Sequence, residues 1–311
     1  MSAFKFDPAP WVPFKDRAVI DRVMGMKKED YLNQPNKNLT IKVLTAEMCE
    51  WEWVVTVFKK IKDTADNGEK CVLILPNPVG SYKKIAYLIN TFGVDCKHVT
   101  GFLMDEWADQ DGNIAPESYE AGFMNANRRF FYGQIDEKLR MPYEQIIGPT
   151  NKNYRDYSKM IEDAGNADIC LSGPGWAGHL AFIDPDVPEF KAESTEEWLQ
   201  MGARVTTLHP LTIAQNSLHG CFGYSGNIAN VPPKAFTIGP RDCLNSKGRL
   251  EIHSITTAGT LVAWQRMISK LVLFGPVCPQ LPTSLVQMKP TTVLVSEELA
   301  LPVVPDYDFG Y

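Results

Sequence analysis

The chain lacks several features that would place it in a particular class of protein. It has no apolar run long enough to span a bilayer, and its first residues hold no apolar core of signal-peptide length. Its 31 basic residues are outnumbered by 37 acidic residues and form no basic block. We therefore expect no nucleic-acid partner and no membrane partner, because both present dense negative charge.

Cysteine and histidine are also sparse. The seven cysteines are scattered, odd in number and without a CxxC pair, and the five histidines show no metal-like spacing with them. This pattern is typical of reduced thiols in a cytoplasmic protein. It gives no reason to expect a metal ion or another cofactor.

The composition that remains is that of an ordinary globular protein, with 44% hydrophobic and 22% charged residues and a net charge of −6. A chain of 311 residues can bury a large core. We find no internal repeat and no low-complexity linker, so we expect one domain over residues 41–311. Residues 1–40, rich in Pro, Lys and Asn, are expected to form an arm that wraps onto it. The closing segment 302–311 is expected to be either a docked tail or a contact between copies in a homo-oligomer.

Helical and strand patterns alternate along the chain. "TAEMCEWEWVVTVFKKIKDTADNG" has apolar residues at helical spacing, with Thr45 as a plausible N-cap and Gly68 after its end. "KCVLILP" is a short continuous apolar run, typical of a strand buried on both faces. Further helices are predicted in "YKKIAYLINTFG", "SYEAGFMNANRRFFYGQI", "YSKMIEDAG" and "TLVAWQRMISKLV", and further strands in "HVTGFLMDEW", "ADICLSG", "LEIHSITTAG" and "TTVLVSEE". The alternation predicts an α/β fold of doubly wound type, with a mainly parallel sheet and helices on both faces.

Two stretches follow predicted strands, where open α/β sheets bind their ligands. In "LPNPVGSY", Asn77, Gly80 and Ser81 stand at a helix entrance whose amides could hold an anion, although a plain connecting turn has the same pattern. In "FLMDEW", the adjacent carboxylates of Asp105 and Glu106 close an apolar strand. An acid pair in that position favours a functional site over a solvated loop edge.

A third stretch, "LSGPGWAGHLAF", places His179 among small residues after an apolar run. A lone histidine is usually a buried, hydrogen-bonded core residue. Here Asp184 lies five residues further on, and a carboxylate beside an imidazole fixes its tautomer and raises its basicity, as a proton shuttle requires. Gly175 and Trp176 belong to the same stretch, and Trp176 could face a sugar ring.

Four motifs in this order, "MDEW", "PESYEAGFM", "GPGWAGHLAFIDP" and "VPPKAFTIG", resemble the glucosamine-6-phosphate deaminase/isomerase family, whose fold is shared by 6-phosphogluconolactonase. The resemblance runs from about Lys42 to the end. It implies a modified Rossmann fold and an enzyme of amino-sugar metabolism. In that family an opened amino sugar phosphate undergoes aldose–ketose isomerisation with loss of ammonia, as glucosamine 6-phosphate gives fructose 6-phosphate.

The resemblance also implies roles for single residues. Asp105 matches the aspartate that moves a proton between C1 and C2, and Glu106 stands beside it. His179 matches the histidine that assists opening of the pyranose ring. Asp184 takes the place of the glutamate that supports this histidine, whereas the family aspartate two residues before the histidine is Ala177 here.

The phosphate end departs further from the family. The loop reads "LPNPVGS", in which Pro78 has no N–H to donate. The family's phosphate-binding arginine and lysine align with Gly202 and Pro233. A phosphate would then be held by Ser81, Arg204 and Lys234.

Four functions remain open. The first is an amino-sugar-phosphate isomerase and deaminase. The second is an enzyme of this fold that acts on a different or unphosphorylated sugar, and the third is a sugar-binding or regulatory protein that has lost catalysis. The fourth is lactone hydrolysis, a hydrolase activity whose family also keeps the aspartate that is missing at position 177.

Overall fold

A computed structural model describes residues 6–77, 79–254, 262–305 and 307. Within these residues the strands are β1 (Leu39–Leu44), β2 (Cys71–Leu75), β3 (Val99–Leu103), β4 (Asp105–Ala108), β5 (Ile146–Ile147), β6 (Ile169–Ser172), β7 (Arg204–Thr207), β8 (Lys234–Thr237), β9 (Arg249–His253) and β10 (Thr291–Ser296). The helices are α1 (Arg17–Met24), α2 (Lys28–Leu32), α3 (Ala46–Asn67), α4 (Ser81–Phe92), α5 (Phe123–Phe130), α6 (Tyr157–Asp163), α7 (Thr195–Leu199), α8 (Pro210–Asn216), α9 (Pro240–Leu244) and α10 (Gln265–Phe274).

Seven strands form the main sheet, in the order β1-β10-β9-β6-β2-β3-β5. Every neighbouring pair in it is parallel. The strands at its centre read as continuous apolar runs because helices cover both faces of the sheet, and all five residues of β2 are buried. The predicted α/β fold with a mainly parallel sheet is confirmed.

Alternate residues of the central strands enter two separate cores. On one face, Leu73 and Leu75 pack with apolar side chains of α3 and α4. On the other, Val72 and Ile74 pack with side chains of α6, α9 and α10. This alternation is the period of a strand, in which successive side chains point to opposite faces.

A second, antiparallel sheet in the order β4-β8-β7 lies beside the first. The single strand predicted over "HVTGFLMDEW" is wrong, because the chain changes sheets at Met104. The Met104 N–H donates to the Leu75 carbonyl of the main sheet at 2.8 Å, and its carbonyl accepts from the Ile238 N–H at 2.9 Å. Asp105 is thereby the first residue of a strand in the second sheet.

The long helix α3 begins and ends where the sequence predicts. The Thr45 hydroxyl accepts from the Met48 N–H, and Gly68 closes the helix in the left-handed conformation at φ 68°. Met48 and Val55 are apolar residues of this helix whose side chains are exposed. The buried face consists of Cys49, Trp53, Val54, Val57, Ile61 and Thr64.

The helix predicted over "SYEAGFMNANRRFFYGQI" is shorter than expected. Only Phe123–Phe130 is α-helical, and a 3-10 turn follows at Tyr132–Gln134. Gly122 is extended, with ψ 151°, and so cannot belong to the helix. The start is fixed by a carboxylate from the second sheet, which is described with the site.

The described part of the N-terminal segment lies along α10. The buried ammonium of Lys270 donates to the carbonyls of Met26 and Leu299, each at 3.0 Å, and the Val303 N–H donates to the Met24 carbonyl at 2.8 Å. The first and last described segments are therefore tied to each other. None of the helices in the described part of the chain has both the length and the apolar character to cross a bilayer.

Some sequence predictions concern residues outside the described ranges. They include Pro78, the last residues of "LEIHSITTAG", the first two of "TLVAWQRMISKLV" and half of the closing segment.

Candidate active site

Three loops leave the same edge of the main sheet. Strand β2 lies between β6 and β3, and all three are parallel, so their carboxyl ends meet at one edge. The loops that follow them are 76–81 after β2, 104–106 after β3 and 173–184 after β6. The three motif stretches are therefore neighbours, as the rule for open α/β sheets predicts.

Asp105 is a nearly buried carboxyl group, only 6% exposed. Its Oδ1 atom has no hydrogen-bond partner among the described residues. Burial, and after it the charge of Glu106, raises the pKa of Asp105 well above its ordinary value. A carboxyl group with a raised pKa and an unpaired oxygen can both take up and return a proton.

Glu106 has a different task from its neighbour. Its Oε1 accepts from the N–H groups of Trp107 at 2.9 Å and Phe123 at 3.0 Å, and its Oε2 accepts from the Met124 N–H at 2.8 Å. These bonds satisfy the free amides at the start of α5. The expectation that Glu106 is catalytic is corrected, because both of its oxygens are used to anchor a helix.

His179 is 7% exposed and is held through one ring nitrogen. Nδ1 lies 3.1 Å from Oδ1 of Asp184 and 3.0 Å from the hydroxyl of Thr212, which itself donates to Asp184 at 2.6 Å. The other oxygen of Asp184 accepts from the His209 N–H at 2.7 Å. With Nδ1–H directed at a buried carboxylate, Nε2 is the ring atom able to accept a proton.

The loop around His179 is tightly wound. Gly175 and Gly178 have φ of 51° and 74°, and Ala181 and Asp186 adopt positive φ without being glycine. Sparsely populated backbone conformations of this kind persist where the surroundings hold them in place. Here Gln215 of α8 accepts from the Trp176 N–H at 2.7 Å.

Thr237 connects the loop of His179 to the strand of Asp105. Its hydroxyl accepts from the Phe182 N–H at 3.1 Å, and it lies directly opposite Asp105 in the antiparallel pair of β8 and β4. Sequence reasoning missed Thr237, Thr212 and Gln215. No local pattern distinguishes them, because each acts on a segment far away in the chain.

The three groups expected to hold a phosphate do not come together. Arg204 lies at the start of β7, where its guanidinium donates to the carbonyls of Gly202 at 3.1 Å and Glu189 at 2.8 Å and stacks over Phe190. The Ser81 hydroxyl instead donates to Glu50 of α3 at 2.7 Å. Two of the guanidinium donors of Arg204 are thus used by backbone carbonyls, which hold the side chain at the start of β7, and a phosphate-binding role for Arg204 stays a prediction.

Lys234 is also misplaced for a phosphate site. It lies opposite Ala108 in the pair of β8 and β4, three residues from the pair of Thr237 and Asp105. Side chains alternate along a strand, so Lys234 and Asp105 project from opposite faces of the second sheet. A side chain at Gly202 would collide with the Ser158 hydroxyl, which leaves no room there for the family's arginine.

Trp176 does not face a polar cavity. Its ring stacks on that of Trp264, with centroids 5.6 Å apart and planes at 19°, and both rings line an apolar groove of about 1020 Å³ between the N-terminal segment and α10. The buried side chain of Ala177 lines the same groove. The possibility that Trp176 meets a sugar ring beside His179 therefore finds no support.

Two cavities adjoin the turn after β2, and Asn77 lines both. The outer cleft, about 1210 Å³, lies between this turn, α5 and residues 218–224. The inner pocket, about 390 Å³, lies between the turn, α3 and the carboxyl ends of β6 and β9. Among the described residues, no group of three His, Cys, Asp or Glu side chains is placed to hold a metal ion.

Known structures of two kinds share the fold. A monomeric glucosamine-6-phosphate deaminase matches with a TM-score of 0.68 at 21% identity, over 84% of this chain and 98% of that protein. A 6-phosphogluconolactonase from Leishmania guyanensis matches with a TM-score of 0.58 at 15% identity, over 86% and 99%. At these identities the likeness establishes the fold alone.

Sequence relatives are more specific, although no family model matches the chain. Glucosamine-6-phosphate deaminase of Caenorhabditis elegans is 30% identical over 61% of this chain and 66% of its own length. The enzyme of the same name from Clostridium tetani is 30% identical over 58% and 68%, and that of Aliivibrio salmonicida is 29% identical over 79% and 84%. With the shared fold and the motifs gathered at one sheet edge, these identities show that the chain belongs to the glucosamine-6-phosphate deaminase family of enzymes.

Proposed function

We propose that the chain is an amino-sugar isomerase and deaminase. It converts a 2-amino-2-deoxy aldose into a ketose with release of ammonia, the type of reaction by which glucosamine 6-phosphate gives fructose 6-phosphate. The observation that carries the proposal is the pairing of a buried proton relay at His179 with a carboxyl group at Asp105 whose oxygen has no partner in the described chain.

His179 serves the opening of the sugar ring. Nε2 takes the proton of the O1 hydroxyl, and the imidazolium gives this proton to the ring oxygen as the C1–O5 bond breaks. The imidazolium that forms is stabilised by Asp184, because Nδ1–H is directed at its carboxylate. The carboxylate also keeps the imidazole in the tautomer that the step needs.

Asp105 then serves the isomerisation. Its carboxylate removes the proton at C2 of the open aldehyde while the ammonium group of the substrate gives a proton to O1, which yields a neutral enolamine, and the Asp105 carboxyl then returns its proton to C1. The resulting iminium at C2 adds water and loses ammonia, leaving the ketose. The raised pKa of Asp105, caused by burial first and by Glu106 second, makes it a stronger base than an exposed aspartate.

The test measures ammonia release and exchange of the C2 proton in heavy water, with glucosamine 6-phosphate and with glucosamine. Asp105→Asn should lower both rates by about 10²–10⁴-fold, because an amide cannot accept the proton. Asp111→Asn, a change at an exposed aspartate of the next loop, is the matched control. Absence of both ammonia release and proton exchange with either sugar would remove the proposal and leave a sugar-binding role.

A further inference from the structure

The inner pocket contains a carboxylate where the family resemblance implies a phosphate. Among its described lining residues, Glu50 is the charged one. A phosphate ester in this pocket would meet the Glu50 carboxylate, and the described lining residues include no lysine, arginine or histidine.

Glu50 also occupies the donors that a phosphate would use. Its Oε1 accepts from the Ser81 hydroxyl at 2.7 Å, and its Oε2 lies 2.8 Å from the ammonium of Lys84, which in turn sits over the Trp51 ring. Burial acts to raise the pKa of Glu50, but the hydrogen bonds from Lys84 and Ser81 hold it below its ordinary value. Glu50 is therefore a carboxylate at neutral pH.

Among its described lining residues, the outer cleft offers no buried cationic group that could bind a phosphate instead. Its charged side chains, Glu120 and Arg129, are both exposed and of opposite sign. His219 lines the same cleft, but burial, and after it the charge of His179, lowers its pKa, so the ring is neutral at pH 7. An exposed arginine is screened by solvent and salt and gives little binding energy to a dianion.

The same surfaces suit neutral hydroxyl groups. Asn77 supplies an amide to both cavities, and Ser172 and Ser254 line the inner pocket. Amide and hydroxyl groups both donate and accept hydrogen bonds, as sugar hydroxyls do. A carboxylate such as Glu50 accepts from a hydroxyl and repels a phosphate.

We propose that the substrate presents a neutral hydroxymethyl group, in place of a phosphate ester, to the turn 76–81, so that the chain acts on free 2-amino-2-deoxy aldoses. The proposal rests on the proposed function for the chemistry at C1 and C2. It adds the substrate class, which differs from that named for the curated relatives.

The first experiment compares kcat/KM for glucosamine and glucosamine 6-phosphate with the full chain. We expect glucosamine to be preferred by about tenfold or more, the effect of one uncompensated charge contact. Inorganic phosphate should not compete with glucosamine. A preference for glucosamine 6-phosphate, or competition by phosphate, would overturn the proposal.

The second experiment changes the carboxylate itself. Glu50→Gln keeps the size of the side chain and frees Ser81 and Lys84 for an anion, so the preference for glucosamine over glucosamine 6-phosphate should fall. Glu52→Gln on the same helix, where Glu52 pairs with Lys42, is the control and should leave the preference unchanged. An equal preference in both variants would count against Glu50 as the determinant and overturn the proposal.

A binding measurement separates this proposal from the proposed reaction. In Asp105→Asn, glucosamine should raise the melting temperature and glucosamine 6-phosphate should not, because a ligand of the folded state stabilises it by mass action. If glucosamine binds but neither sugar reacts with the unmodified chain, the proposed isomerase and deaminase activity is refuted, and the proposal that the chain recognises free amino sugars is supported. If neither sugar binds, the substrate class fails as well.

Discussion

The backbone of Gly175 lies against the imidazole of His179. A β-carbon at position 175 would lie 2.6 Å from Cε1 of His179, and closer still to Nε2, the nitrogen assigned to proton transfer. The residue also has φ 51°, which side chains other than glycine rarely adopt. The small residues in "GPGWAGH" therefore make room for the reactive side of the ring.

Gly175→Ala should abolish activity and lower stability by more than the backbone conformation alone requires. The matched control is Gly68→Ala, which has φ 68° but no atom within 4 Å of the added carbon. That control should cost about 1 kcal/mol and leave activity intact. Urea unfolding together with rates of C2 proton exchange would check both variants, and comparable losses in the two proteins would mean that no collision with His179 occurs.

Ala177→Asp, which restores the family's aspartate, should destabilise the protein without raising its activity. The side chain of Ala177 is 1% exposed and lies in the apolar groove beside Trp176, where a carboxylate would be desolvated. Burial raises the folded pKa of such a carboxyl above its unfolded value. Stability relative to the parent should therefore be higher at pH 4 and fall as the pH rises above the unfolded pKa of about 4.

Ala177→Asn separates charge from size in the same experiment. It should show a smaller loss of stability that does not vary between acidic and neutral pH. An active Ala177→Asp protein of parental stability would instead show that position 177 reaches His179.

Lys270 should give the protein a distinct dependence of stability on pH. Burial, and after it the charge of Arg266, lowers the pKa of Lys270 from 10.5 to about 8. Between these two values the unfolded chain binds the extra proton, so this lysine's contribution to the free energy of unfolding rises with pH across that window. Below pH 8 both states are protonated and the contribution is constant.

The difference in unfolding free energy between the parent and Lys270→Met isolates this effect from cysteines that titrate in the same range. It should grow in favour of the parent from pH 8 to pH 10. Lys289→Met, at an exposed lysine, should show no such change. If the difference in unfolding free energy between the parent and Lys270→Met stayed constant from pH 8 to pH 10, the pKa of Lys270 would lie near its ordinary value.

The sequence alone predicted where the parts of the site that follow buried strands would lie. Asp105 and His179 each come after a long apolar run, and the carboxyl ends of parallel strands meet at one edge. The division of work between Asp105 and Glu106 was not predictable, because it depends on which of two adjacent carboxylates meets the amides of α5. The side-chain direction of Lys234 was not predictable for a similar reason. A shift of one residue along a strand reverses the face from which a side chain projects.

Met104 couples the opening of the two sheets through its backbone hydrogen bonds. The Met104 N–H donates to the main sheet and the Met104 carbonyl accepts from the second, so the two sheets share this one residue. The amides of Met104 and Ile238 should consequently exchange with solvent deuterium in a single cooperative event. Full exposure of the Asp105 carboxyl to bulk solvent through local opening would then require loss of the junction itself.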